Sequence, residues 1–174
     1  MELNEKLAPI WGRRSIRAYR REPIPEPVMT DLLRAAMAAP SAAKCDPWRF
    51  VVVQNSTVLA GVAKALPHGK FVATAPAAVV VCGDLGAAHD GQLSYLLQDC
   101  SAAIENLLIA AHLLGLGACW LGVHPRGPRI DAIRHLLRIP TEIVPVSVIA
   151  VGYPDEEKEA RTRYMPRHVH QNRW

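Results

Sequence analysis

The sequence predicts a single domain, residues 1–174, of the α/β or α+β class. Three observations carry this. Four short runs rich in β-branched and apolar residues read as strands: WRFVVVQN, AAVVVCGD, ACWLGVH and VPVSVIAVG. Each is separated from the next by a segment with helical apolar spacing. No internal repeat or linker interrupts the 174 residues, and 50% of them are hydrophobic, enough for one substantial core.

The elements follow in order. NEKLAPIW (4–11) is a short helical start that ends at Gly12. Residues 26–38 place Val28, Met29, Leu32, Leu33, Ala36 and Met37 at helical spacing; Pro27 suits the first turn and Pro40 closes the element. WRFVVVQN (48–55) is a strand, and Ser56 is expected to cap a helix that runs to about Leu66. AAVVVCGD (77–84) is a second strand, ended by Gly83 and Asp84. Residues 91–114 form the longest helical pattern. Leu93, Leu96, Leu97, Cys100, Ile104, Leu107, Leu108, Ala111 and Leu114 make one face, and Ala102, Ala103, Ile109 and Leu113 make the other apolar as well. A helix apolar all round is buried all round, which here points to sharing with a second subunit. Asp99 and Glu105 on it are expected to be buried polar groups that hold structure. ACWLGVH (118–124) is a third strand, RIDAIRHLL (129–137) a helix and VPVSVIAVG (144–152) a fourth strand. The charged tail from Pro154 has no apolar period, so it should lie along a surface, its own or a partner's.

Formal net charge is +4, mildly basic, which favours anionic ligands. Sixteen acidic residues are spread along the chain, and the two phenylalanines, Phe50 and Phe71, lie in or beside apolar runs. A nucleic-acid binder would interleave exposed aromatics with its basic patch, so no nucleic-acid partner is expected. The four cysteines (Cys45, Cys82, Cys100, Cys119) form no CxxC pair; the last three sit in apolar surroundings, whereas Cys45 lies in a polar loop. MELNEKLAPIW carries two glutamates and lacks an apolar run, so no leader is expected and a reducing cytoplasm is the simplest compartment. LLIAAHLLGLGACWLGV (107–123) approaches membrane-spanning length, but His112 and the break from Gly115 to Gly117 make it a buried helix followed by a strand, with no membrane partner.

Several cofactor motifs fail. Gly115-Leu-Gly117 lacks the third glycine of GxGxxG, since Trp120 stands there, and it leaves a helix for a strand, the reverse of the dinucleotide-binding order. It reads instead as a helix-capping glycine followed by close backbone packing. GxxxxGK[ST], HExxH and GxSxG are absent, and His168 and His170 lack a supporting carboxylate, so no metal is expected.

RRSIRAYRR (13–21) puts five arginines into nine positions. Like charges this close repel unless an anion sits among them. Read alone, the stretch is either a solvated basic segment with ion pairs to Glu22 or Glu26, or the seat of an anionic ligand.

Three further stretches accompany it: PSAAKCDPWRF (40–50), GLGACWLG (115–122) and VGYPDEEKEARTRY (151–164). In their order and spacing these resemble the nitroreductase family of FMN-dependent oxidoreductases, in its short-chain subgroup. QDCSAAIENLLIAAHLLGLGACW and RYMPRHVHQNRW are similar to that subgroup too, so the resemblance runs from about residue 9 to the carboxyl end. It implies an α+β fold, a three-layer α-β-α arrangement around a mixed, largely antiparallel sheet. It also implies an intimate homodimer with FMN at the interface.

The resemblance assigns residues as follows. Arg13 and Ser15 match phosphate and ribityl contacts, with Arg14 between them in the same motif. A guanidinium fork suits phosphate oxygens. Arg17 matches a basic residue nearer the flavin ring, where a cation stabilises the charge that reduction places at N1 and the C2 carbonyl. Arg161 and Arg163 resemble the pair that closes on the phosphate from the carboxyl-terminal side; alternatively Arg163 pairs with Asp155 or Glu156. Arg20 and Arg21 match no contact and read as surface charges. Pro40, Ser41 and Ala42 would lie against the partner's flavin, with Lys44 and Asp46 standing where the family often has Asn and Gln. That substitution implies either a local ion pair or a retuned flavin. Trp48 either floors the site or packs in the core. WLG (120–122), with Leu121 and Gly122, matches the strand end whose N–H groups point at flavin N5 and O4, and residues 68–70 correspond loosely to another contact. The implied mechanism is ping-pong: NADH or NADPH gives a hydride to the flavin, and a small electron-poor acceptor (a nitroaromatic, a quinone or an activated alkene) then takes it. A non-catalytic flavin store or redox sensor is the alternative.

Overall fold

The computed structural model describes residues 4–174; residues 1–3, on which part of the expectation about a leader falls, lie outside the described residues. The elements are α1 (Ala8–Gly12), α2 (Glu26–Met37), β1 (Trp48–Val53), α3 (Ser56–Ala65), β2 (Ala77–Asp84), α4 (Leu93–Leu113), β3 (Gly117–Gly122), α5 (Gly127–Leu137) and β4 (Ile143–Gly152). Each strand and helix expected from residue spacing is present, with ends shifted by a few residues.

β2 and β4 are apolar at nearly every position because both faces of the sheet they form are covered. Ala77, Val79 and Val81 point to one layer, with Ile149 and Val151, against α2 and α4. Ala78, Val80 and Cys82 point to the other, with Val148 and Ala150, against α3 and α5. The period-two alternation thus builds two cores from the same strands. Strand order is β1-β2-β4-β3, and all three pairs are antiparallel. The parallel contact among the described residues is an isolated bridge between Ser15 and Ala118. The chain has the α+β class in three layers, with helices on both sides of a largely antiparallel sheet. No helix among the described residues is long and apolar enough to cross a membrane.

Four local expectations are corrected or settled. The cap of α3 is Asn55, not Ser56: its Oδ1 accepts from the N–H groups of Thr57 at 3.0 Å and Val58 at 3.1 Å. Ser56 is one position too late to reach the free donors of the first turn. Asn55→Ala should therefore lower stability by about 1 kcal/mol and Ser56→Ala far less, measured by chemical denaturation. Trp48 is 6% exposed and belongs to the core of the α2–α4 layer, which settles its alternative. Asp99 is buried as expected, but the Glu105 side chain is 46% exposed. Finally, α4 buries only one face within the chain: Leu96, Cys100, Ile104, Leu107 and Ala111 are covered, while Leu97, Ala102 and Ile109 are half-buried and Leu113 is 63% exposed.

Candidate functional site

The basic stretch is held as an extended strap between β3 and the start of the tail. Ile16 donates its N–H to the Ala118 carbonyl at 3.0 Å, and Gly117 makes room for it. A Cβ there would stand 2.7 Å from the Ile16 side chain. The close packing expected at Gly117 is thus present, and Gly115, at φ +74, is the left-handed residue that ends α4. Buried Tyr19 donates its hydroxyl to the Ile16 carbonyl at 2.5 Å, and burial pushes that phenol well above its ordinary range.

On the other side the tail clasps the strap. Asp155 donates its N–H to the Ala18 carbonyl and Arg20 donates its own to Tyr153, both at 2.9 Å. The Glu156 carboxylate accepts from the Arg17 N–H at 2.5 Å and from the Lys158 ammonium at 2.9 Å. Lys158 also donates to the Ser15 carbonyl at 2.6 Å. The Arg17 N–H first, and Lys158 after it, hold the Glu156 carboxyl below the usual carboxylate range. Arg161 donates its N–H to Trp11 at 3.1 Å, and the Arg14 guanidinium donates to the Glu159 carbonyl.

This clasp gathers charge. A cavity of about 640 Å³ is lined by Arg13, Arg14, Ser15 and Arg17 from the strap and by Lys158, Arg161 and Arg163 from the tail. Against these six cations, Glu105 of α4 is the one carboxylate lining it. Its Oε1 lies 3.1 Å from Arg13 Nε. Among the described residues Arg161 and Arg163 are in no ion pair, so the alternative of Arg163 with Asp155 or Glu156 is not adopted.

A second cavity of about 200 Å³ shares Arg17 and Trp120 with the first. Leu66, Phe71 and Leu121 give it apolar walls, and His68 from the 68–70 stretch lines it as well. The Arg17 guanidinium sits 5.9 Å from the centroid of the Phe71 ring. Arg129 donates to the Gly122 carbonyl at 2.9 Å. At Gly122 a Cβ would meet only the His124 carbonyl oxygen, at 3.9 Å, so the protein itself does not require glycine there. Cys119 also lines this cavity, and burial raises its thiol pKa. Burial likewise pushes the Cys82 and Cys100 thiols up to about 12, which keeps them protonated and inert near neutral pH.

Pro40, Ser41, Ala42, Lys44 and Asp46 line neither cavity. They form the turn after α2, where Ala43, Lys44 and Asp46 take φ of 51°, 59° and 47°. Two carboxylates pin this turn. Asp46 Oδ1 accepts from the Ser41 hydroxyl at 2.5 Å, and Asp99 Oδ1 accepts from the Ala42 N–H at 2.9 Å. Asp46 is thus engaged by Ser41; the ion pair with Lys44 weighed from the sequence is not formed.

Sequence reading missed Lys158 and Arg129 as lining residues. Lys158 lies in the acid-rich run DEEKE, where nothing singles it out. Trp120 of the WLG stretch, a large aromatic 38% exposed in a strand that begins buried, lines both cavities.

The nitroreductase family model matches residues 10–68 and 57–153. A protein of Archaeoglobus fulgidus, provisionally named NADH dehydrogenase/NAD(P)H nitroreductase, is 43% identical over 99% of this chain and 100% of its own length. A crystal structure of a protein with the same provisional name from Parabacteroides distasonis superposes with a TM-score of 0.92 at 38% identity, over 99% of this chain and 100% of that one. An FMN-dependent nitroreductase of Clostridium difficile superposes at 0.88 with 29% identity, over 97% of this chain and 99% of that one. With the family model spanning most of its length and a relative 43% identical from end to end, the chain belongs to the nitroreductase family.

Proposed function

We propose that this chain is an FMN-dependent oxidoreductase that uses NADH or NADPH to reduce small electron-poor acceptors, and that it works as a one-domain subunit of a homodimer. The observation that carries the reading is the set of six cations around one cavity, joined through Arg17 and Trp120 to a smaller apolar-walled cavity. That donor set fits FMN: a dianionic phosphate for the arginines and a flat ring beside Trp120, Phe71 and Leu121. The relative from Clostridium difficile, named FMN-dependent, supports the same assignment.

When bound by these residues, FMN would supply the hydride-transfer chemistry between nicotinamide and acceptor. The chain's own residues do the rest. Arg13, Arg14, Ser15, Arg161 and Arg163 hold the phosphate with charge-assisted hydrogen bonds. Arg17, at the junction of the two cavities, meets negative charge on the ring side. Leu121 and Gly122 line the smaller cavity beside Trp120. The turn that contains Ser41 and Lys44 stands apart from both cavities within one chain, which supports its serving the partner subunit's flavin.

The purified protein should carry FMN and bind FAD poorly, because an adenylate would have to pass through the arginine cluster. Extraction and chromatography test this, and mostly FAD would overturn it. Anaerobic mixing with NADH or NADPH should bleach the flavin band rapidly. Slow or no bleaching with either would mark a store or sensor instead.

A further inference from the structure

We propose that Glu105 is a positioning residue: its carboxylate pairs by charge with the Nε side of the Arg13 guanidinium, so that the terminal nitrogens are left to the phosphate. This rests on the FMN reading above and deepens it.

A carboxylate in an anion site opposes binding unless it does something for the cations around it. A guanidinium offers two bidentate edges, one that includes Nε and one between its two terminal nitrogens. Glu105 Oε1 lies 3.1 Å from Arg13 Nε, an ion pair on the side of the first edge. The terminal pair remains for an anion in the 640 Å³ cavity that both residues line. Stability does not account for the pair. The two side chains are 28% and 46% exposed, and ion pairs that open contribute little.

The packing behind Arg13 sets the same register. α4 presents Glu105, Leu108 and His112 at i, i+3 and i+7, on one face. The His112 imidazole fills the space beside Gly12, where a Cβ would stand 2.7 Å from Nε2. Leu108 lines the cavity next to Glu105. The backbone just before Arg13 is thus seated on α4 two turns from Glu105, which brings the guanidinium over that carboxylate.

The test is FMN release from diluted holoenzyme, followed by recovery of flavin fluorescence, for E105Q and E105A, each alone and combined with R13A. Riboflavin, which lacks the phosphate, is the control ligand. E105Q keeps an oxygen beside Nε without the negative charge that opposes the phosphate, and should hold FMN at least as tightly as the native protein. E105A should release it about five- to tenfold more readily, the effect of losing the orientation of one charge-assisted contact. The difference between the two should vanish with R13A, and riboflavin should bind both as it binds the native protein. If E105A holds FMN as well as E105Q, or their difference persists with R13A, the positioning role is overturned. If R13A alone leaves FMN release unchanged, the phosphate site itself is wrong, a separate failure that removes both readings.

Discussion

Arg13→Ala is expected to strip FMN from the protein while barely changing the rate at which FMN-saturated protein is reduced, and Arg17→Ala is expected to do the reverse. Both residues line the 640 Å³ cavity, but only Arg17 also lines the smaller one. Losing a charge-assisted contact to phosphate costs roughly 1.5–3 kcal/mol, about ten- to a hundredfold in affinity. Arg13→Ala should fall at the upper end, because it also leaves the Glu105 carboxylate without its partner in an anion site. A phosphate contact binds ground and transition states alike, so it acts on occupancy and not on turnover. At the proposed flavin site the Arg17 charge would instead meet charge that appears only as the ring is reduced. Its removal should slow reduction by roughly tenfold or more, the scale of one nearby charge in a half-screened site. Stopped-flow reduction with NADH and NADPH at saturating FMN measures both variants. Equal reduction rates would contradict the division of roles.

Much of the fold was legible in the sequence because its central strands are unambiguous. AAVVVCGD and VPVSVIAVG are apolar at almost every position and too short for helices, so buried strands were the remaining reading. Their direction was not legible. Strands separated by helices suit parallel and antiparallel sheets alike, and the pairing of β2 with β4 joins residues more than sixty apart, such as Val79 and Ile149. Residue spacing left α/β and α+β open, and only the resemblance of whole motifs pointed to the antiparallel arrangement.

The site was legible where motif and chemistry coincided. Arg13, Ser15, Arg17, Arg161 and Arg163 were expected around one anion, and they line one cavity. Lys158 was hidden because its role depends on Glu156, which ties it to the Ser15 carbonyl; charge balance within DEEKE masks that arrangement. Glu105 was misjudged because its neighbours on α4 are apolar. Helical position decides exposure there, and Glu105 falls on the edge that meets Arg13. Asn55 and Ser56 are both good capping residues in adjacent positions, so composition could not choose between them.

Leu113→Glu is expected to break the protein into monomers and to release FMN with them. Leu113 is 63% exposed at the end of α4, so a charge there costs the single chain little. It stands on the face of α4 that the chain leaves partly open, with Ala102 and Ile109. The tail adds a second open surface: residues 159–174 are all exposed, including Tyr164 at 60% and Val169 at 52%. A twofold dimer covers both, because one self-complementary patch buries both copies of the helix. The same dimer can bring the pinned Ser41–Asp46 turn, which lines neither cavity of its own chain, to the flavin of its partner. If each FMN touches both chains, ligand and dimer stabilise one another, by about 1.4 kcal/mol for each tenfold excess of FMN over its Kd. Sedimentation of holo and apo forms over a dilution series should then show the apo form dissociating at higher protein concentration. Leu113→Glu should dissociate in both forms and lose its yellow colour on gel filtration. A Leu113→Glu monomer that keeps FMN tightly would refute the shared site, because the turn carrying Ser41 and Lys44, pinned by Asp46 and Asp99, lines neither cavity of its own chain.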